Sequence, residues 1–107
     1  MGAVSDLLLL YMLDTDNHLA LIRQQRLSGD RDGIARNAHV IASTAGNVGA
    51  EKVCALARAL EGACRTEDDE TVSRQVDALM AASVMTSDAI RAWLKDGVAS
   101  ARTHVGA

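Results

Sequence analysis

Residues 31–64 read RDGIARNAHVIASTAGNVGAEKVCALARALEGAC, and their pattern is typical of two consecutive helices. Apolar residues recur in it at intervals of three or four, which is the spacing of one face of an α-helix. They are Ile34, Ala38, Ile41 and Ala45 in its first half, and Val53, Ala57, Leu60 and Cys64 in its second. Gly46, Asn47 and Gly49 interrupt the spacing and indicate a tight connection. We therefore predict two helices, over residues 31–45 and 50–64, and expect Gly49 to lie where they come close.

The sequence before this stretch predicts further helix. Apolar residues keep the same spacing over residues 4–28, which favours one or two helices there and allows a short extra helix at the N-terminus. Gly29 follows as a helix stop, and Asp30 is an N-cap candidate for the next helix.

The sequence after it predicts a last helix over residues 68–97, where apolar residues follow a period close to 3.5. Thr66 is a candidate cap, and the acidic run at residues 67–70 suits the positive end of a helix dipole. The small and polar residues 100–107 predict a frayed tail. Four amphipathic helices with short joints predict an all-α, antiparallel up-and-down four-helix bundle.

Composition narrows the class of protein. With 107 residues, 49% of them hydrophobic and 23% charged, the chain is expected to form one globular domain over residues 1–107. It has no proline and only 2% aromatic residues, which suits helices better than strands. The net charge is −3 without a cluster of Lys or Arg, so the electrostatic basis for nucleic-acid binding is absent.

The two cysteines and the apolar run near the N-terminus indicate where in the cell the protein is expected. Cys54 and Cys64 stand ten positions apart in one predicted helix, roughly 15 Å along its axis, too far for a disulfide. Free thiols are typical of a reducing compartment. The run at residues 7–13 is too short to span a membrane and does not follow a basic segment. The expected location is the cytoplasm, without membrane association.

Residues 38–50, AHVIASTAGNVGA, carry a motif. They resemble the signature of bacterial-type histidine phosphotransfer (HPt) domains: His, any residue, a Leu-like residue, Lys, Gly, two small and two variable residues, a Leu-like residue and Gly-Ala. The matching positions are His39, Ile41, Thr44, Ala45, Val48, Gly49 and Ala50. The resemblance extends to Tyr11, Gly29-Asp30 and Leu60-Glu61, and so covers residues 7–94.

The chain departs from that signature beside the histidine. Ala42 stands where the family has Lys, and Ser43 where it has Gly. Positions three and four residues on flank a side chain in a helix, so small residues there leave His39 open to a partner's aspartate. A cation would offset the charge of a bound phosphate. The expected substitutes are Arg36, one turn before His39, and Lys52; the hydroxyls of Ser43 and Thr44 are expected hydrogen-bond donors.

The resemblance implies an HPt-like bundle in which His39 carries a phosphoryl group between a histidine kinase or receiver domain and a response regulator. A neutral imidazole nitrogen can attack an activated phosphoryl group. No nucleotide-dependent kinase activity, cofactor or metal is implied for this chain, since Mg²⁺ belongs to the receiver, and a monomer is expected. The docking surface is expected to surround His39 and to include exposed members of the run at residues 7–13.

Two other hypotheses stay open. Ala42 and Ser43 motivate a non-phosphorylated HPt-like module that binds a receiver domain or kinase. An unrelated helical dimerisation module would make the motif a coincidence. His18 and His104 lack such a context, and the cysteines and histidines lack the spacing of metal ligands.

Overall fold

The computed structural model describes residues 2–106, with side chains described as far as Asp96. Its four α-helices are α1 (Ala3–Ser28), α2 (Arg31–Asn47), α3 (Glu51–Thr66) and α4 (Asp69–Gly106). Helices α1 and α3 each pack against both α2 and α4. The four helices therefore form a ring joined by short turns, which confirms the all-α, up-and-down four-helix bundle.

The first turn forms as predicted. Gly29 ends α1 in the left-handed conformation, with φ of 73°, and Asp30 caps α2 by accepting a hydrogen bond from the Gly33 backbone N–H at 2.9 Å. A Cβ atom at Gly33 would collide with the side-chain ends of Asp30 and Gln25, so a larger residue there would displace the capping carboxylate. Helix α1 is continuous, so the prediction of a short extra N-terminal helix is wrong.

The second turn is shorter than predicted, because α2 continues through Gly46 to Asn47. Gly46 is thus a helix residue and only Gly49, with φ of 78°, lies in the turn. A Cβ atom at Gly49 would meet nothing within 4 Å. The expected close approach of two helices at Gly49 is therefore wrong, and the left-handed backbone is what favours glycine there.

The third turn is capped by Asp68, whereas the sequence suggested Thr66, which is the last residue of α3. Asp68 Oδ1 accepts a hydrogen bond from the Thr71 backbone N–H at 2.8 Å. Hydrogen bonds from Thr71 hold the pKa of Asp68 below its usual value. Helix α4 then runs to Gly106, past the end predicted at residue 97 and through most of the predicted tail, and no proline interrupts this stretch. Ala107 lies outside the described residues.

The core contains the apolar faces that the spacing predicted. Its largest fully buried side chains are Ile22, Ile34, Ile41, Leu60, Leu79, Val53 and Val76. Cys54 and Cys64 are free and buried, and burial raises the pKa of the Cys64 thiol. Among the described residues, no helix has the length and apolar character needed to cross a membrane.

Helices α1 and α4 are longer than the α2–α3 hairpin between them. Helices α1 and α4 have 26 and 38 residues, whereas α2 and α3 have 17 and 16. The beginning of α1 and the later part of α4 therefore lack the cover of α2 and α3, and large apolar side chains are exposed there. They include Val4, Leu7, Leu10, Met85 and Trp93.

Candidate functional site

His39 lies near the middle of α2 with 67% of its side chain exposed. The buried residues of α2, which include Ala38, Ile41 and Ala45, occupy the opposite side of the helix. The apolar stripe thus turns the imidazole outward to solvent, as the spacing predicted, where a partner can reach it.

Glu61 of α3 contacts the imidazole. The α2–α3 turn reverses the chain, so Glu61 lies beside His39 although 22 residues separate them, with its Oε2 and Oε1 atoms 3.1 and 3.3 Å from Nδ1. A carboxylate only accepts hydrogen bonds, so in the neutral ring this contact favours the tautomer with the proton on Nδ1 and the lone pair on Nε2. The nitrogen able to act as a nucleophile is therefore Nε2.

Arg65 completes the contacts around Glu61. Its Nη2 atom lies 3.8 Å from Glu61 Oε2, the same oxygen that faces His39, and 73% of its side chain is exposed. The sequence predicted no functional role for either residue, since Glu61 entered only as part of the Leu60-Glu61 resemblance. Pairing the two predicted helices about their connection at residues 46–49 is the signal that would have found both.

The two hydroxyls predicted near His39 are engaged elsewhere. Ser43 Oγ donates to the His39 carbonyl at 3.1 Å, and Thr44 Oγ1 donates to carbonyls of the preceding turn at 3.2 Å. Such bonds are what Ser and Thr side chains commonly form inside a helix. The prediction that these hydroxyls serve a group on the His39 ring does not match this arrangement.

Ala42 lies in the core with 4% of its surface exposed. Its sequence spacing placed it beside His39 on an open surface, but the neighbouring helix covers that side of α2. A lysine at this position would have to extend its aliphatic stem out of the core to bring its ammonium group to solvent. The open neighbours of His39 on its own helix are Ser43 and Arg36.

Neither of the two predicted cations, Arg36 and Lys52, contacts the imidazole of His39 in the described part of the chain. Arg36 is exposed, and no hydrogen bond or ion pair joins it to another described side chain. Lys52 lies nine residues before Glu61 on α3, roughly 13 Å along the axis. Lys52 lines a cavity of about 470 Å³ at the α2–α3 turn, together with Leu8 and Trp93, and His39 does not line this cavity.

In the part of the chain that the structure describes, no three His, Cys, Asp or Glu side chains form a group able to hold a metal ion.

The site around His39 consists of an exposed imidazole, a half-buried carboxylate and an exposed guanidinium. It can accept and release a group at Nε2 without a proton leaving Nδ1.

Comparison with known proteins gives one match. The family model of the Hpt domain matches residues 6–99, which is most of the chain and includes His39, Glu61 and Arg65. No curated protein and no solved structure matches the chain.

Proposed function

Since the chain belongs to the Hpt domain family, we propose that it is a histidine phosphotransfer protein that carries a phosphoryl group on His39 in a phosphorelay. The observation that carries this proposal is the contact of Glu61 with Nδ1 of an exposed His39. That contact orients the ring and leaves Nε2 free toward solvent.

The proposed reaction needs no proton transfer. The Nε2 lone pair attacks the phosphorus of a receiver's aspartyl phosphate, the N–P bond forms, and the P–O bond to the aspartate breaks with its electrons going to the leaving carboxylate. The phosphorylated ring retains the Nδ1 proton and carries a positive charge, which Glu61 balances. Reversal of these steps passes the group to the next receiver. In this proposal Mg²⁺ is held by the receiver, and this chain has no cofactor of its own.

The proposed partners are receiver domains and a histidine kinase, and they would dock around His39. A second cavity of about 310 Å³ lies between α1 and the end of α2, lined by Leu7, Leu10, Tyr11 and Thr44, among others. Leu10 and Leu13 are 64% and 65% exposed on α1. Exposed apolar patches of this kind mark interaction surfaces. A monomer in the cytoplasm is the proposed working state.

The alternative function is a binding module for a receiver domain or kinase that is not itself phosphorylated. Ala42 favours it, because the position that carries a cation in the HPt signature is here a core alanine. The two functions differ in whether His39 becomes covalently modified, and not in which partners bind.

The test is incubation of the purified chain with a phosphorylated receiver domain, followed by detection of acid-labile phosphate on this chain. We expect label on the parent protein and none on His39→Gln, while the free energy of unfolding changes by less than about 0.5 kcal/mol because the position is exposed. His18→Gln is the matched control and should be labelled like the parent. Binding of the receiver without label would support the non-phosphorylated module, and label retained by His39→Gln would place the site elsewhere.

A further inference from the structure

The charges around Glu61 change when His39 carries a phosphoryl group. In the free site, Glu61 Oε2 faces His39 Nδ1 at 3.1 Å and Arg65 Nη2 at 3.8 Å. Phosphorylation makes the ring positive, so the carboxylate gains a nearer cation. It also adds a group with a charge of about −1.5 to −2. Glu61 then has two positive neighbours, and the phosphoryl group has none from this contact set.

Arg65 is free to change partners. Its side chain is 73% exposed, and its ion pair with Glu61 is long. Exposed pairs of this kind contribute little to stability, so breaking this one costs little free energy. Because both contacts share one oxygen, Arg65 Nη2 already lies within about 7 Å of His39 Nδ1. A guanidinium can bind phosphate oxygens through two parallel hydrogen bonds.

The other cations are less well placed. Ala42 is buried and uncharged. Arg58, three residues before Glu61 on α3, and Arg36 on α2 are both exposed, and neither contacts Glu61 or His39 in the described part of the chain. Arg65 is therefore the cation that the α2–α3 pairing brings to the acceptor.

We propose, resting on the function proposed above, that Arg65 moves from Glu61 to the phosphoryl group on His39 and supplies the positive charge missing at Ala42. Glu61 holds Arg65 beside the ring before transfer and exchanges it for the positive imidazole afterwards. The site thereby stabilises the histidine during and after phosphoryl transfer more than it stabilises the free histidine. Such a difference is the condition for faster transfer.

The test measures the rate of phosphoryl transfer from one phosphorylated receiver to the full chain at low and at high salt. Arg65→Ala should slow transfer on the order of fivefold at low salt, with a smaller difference at high salt. Arg65→Lys, which keeps the charge, should restore most of the rate. Arg58→Ala is the matched control and should transfer within about twofold of the parent. Arg36→Ala tests the rival cation on α2, and we expect it to transfer faster than Arg65→Ala. Circular dichroism melts should show that all four variants keep the fold.

Other outcomes separate this inference from the proposed function. A parent protein that takes up no label overturns both. Label on the parent together with equal rates for Arg65→Ala and Arg58→Ala overturns the inference alone, as does an Arg65→Ala effect that is independent of salt. A loss confined to Arg36→Ala would assign the cation to α2.

Discussion

At the scale of single residues, the contact between His39 and Glu61 makes the two ring nitrogens chemically different. Nδ1 faces a carboxylate at 3.1 Å, and Nε2 is left toward solvent on a side chain that is 67% exposed. One half-buried carboxylate thus determines the ring's tautomer, its orientation and the charge that balances the ring after it reacts.

Glu61→Gln should slow phosphoryl acceptance because the amide oxygen can still accept from Nδ1–H but does not balance a positive ring. Hydrogen bonds to charged groups contribute about 1.5–3 kcal/mol, so we expect a loss on the order of tenfold or more. The measurement is the transfer rate from a phosphorylated receiver, with Glu51→Gln at the far end of α3 as the control. Nitrogen NMR of the ring should show the Nδ1–H tautomer in the parent protein, and a parent found in the other tautomer would contradict this role.

Among the helices and turns, two glycines of the α2–α3 hairpin, Gly49 and Gly62, differ in backbone conformation. Gly49 has φ of 78° with open space around it, whereas Gly62 lies in the interior of α3, also with nothing within 4 Å of an added Cβ. Backbone conformation alone therefore distinguishes them. A left-handed residue favours glycine, and a helix interior disfavours it.

Gly49→Ala and Gly49→Leu should destabilise the protein by similar amounts, about 1 kcal/mol, because the strain comes from the backbone and not from crowding. Gly62→Ala is the matched control and should stabilise the protein by roughly 0.5–1 kcal/mol. Urea unfolding of the three variants measures these differences. A much larger loss for Gly49→Leu than for Gly49→Ala would show that packing at the turn limits the side chain.

At the scale of the whole molecule, Arg31 fastens three helices at one end of the bundle. From the start of α2 it donates hydrogen bonds to the Cys64 and Glu67 carbonyls at 3.2 and 2.6 Å and to the Asp69 carboxylate at 2.6 Å. It thus joins α2 to the end of α3 and the beginning of α4. At the opposite end, the residues that the structure describes form no such clamp, and there α1 and α4 extend beyond the hairpin with exposed apolar side chains.

Arg31→Ala should lower the melting temperature by several degrees, since it removes three hydrogen bonds, which join α2 to α3, to the α3–α4 turn and to α4. Arg31→Lys should lie between this variant and the parent, because an ammonium group keeps the charge but lacks the planar fork. Arg23→Ala, an exposed arginine of α1, serves as the control and should melt like the parent. A parent-like melting temperature for Arg31→Ala would mean that packing alone holds this end together.

The four helices and the outward position of His39 could be predicted from local sequence, because helical spacing is a local property of the chain. Ile34, Ala38, Ile41 and Ala45 define the buried side of α2, and His39 falls opposite to it. Gly29 and Asp30 act locally too, through left-handed backbone and a capping carboxylate, and formed the predicted turn.

Only the tertiary structure decided what surrounds His39. Ala42 is three residues away and is buried, while Glu61 is 22 residues away and in contact. Spacing along one helix identifies only the neighbours on that helix. The register of α2 against α3 determines which side of α2 is buried, and it also places Glu61 and Arg65 beside His39. That register depends on the length of the Gly49 turn and on the packing of two apolar faces, which no local pattern specifies to within a single residue.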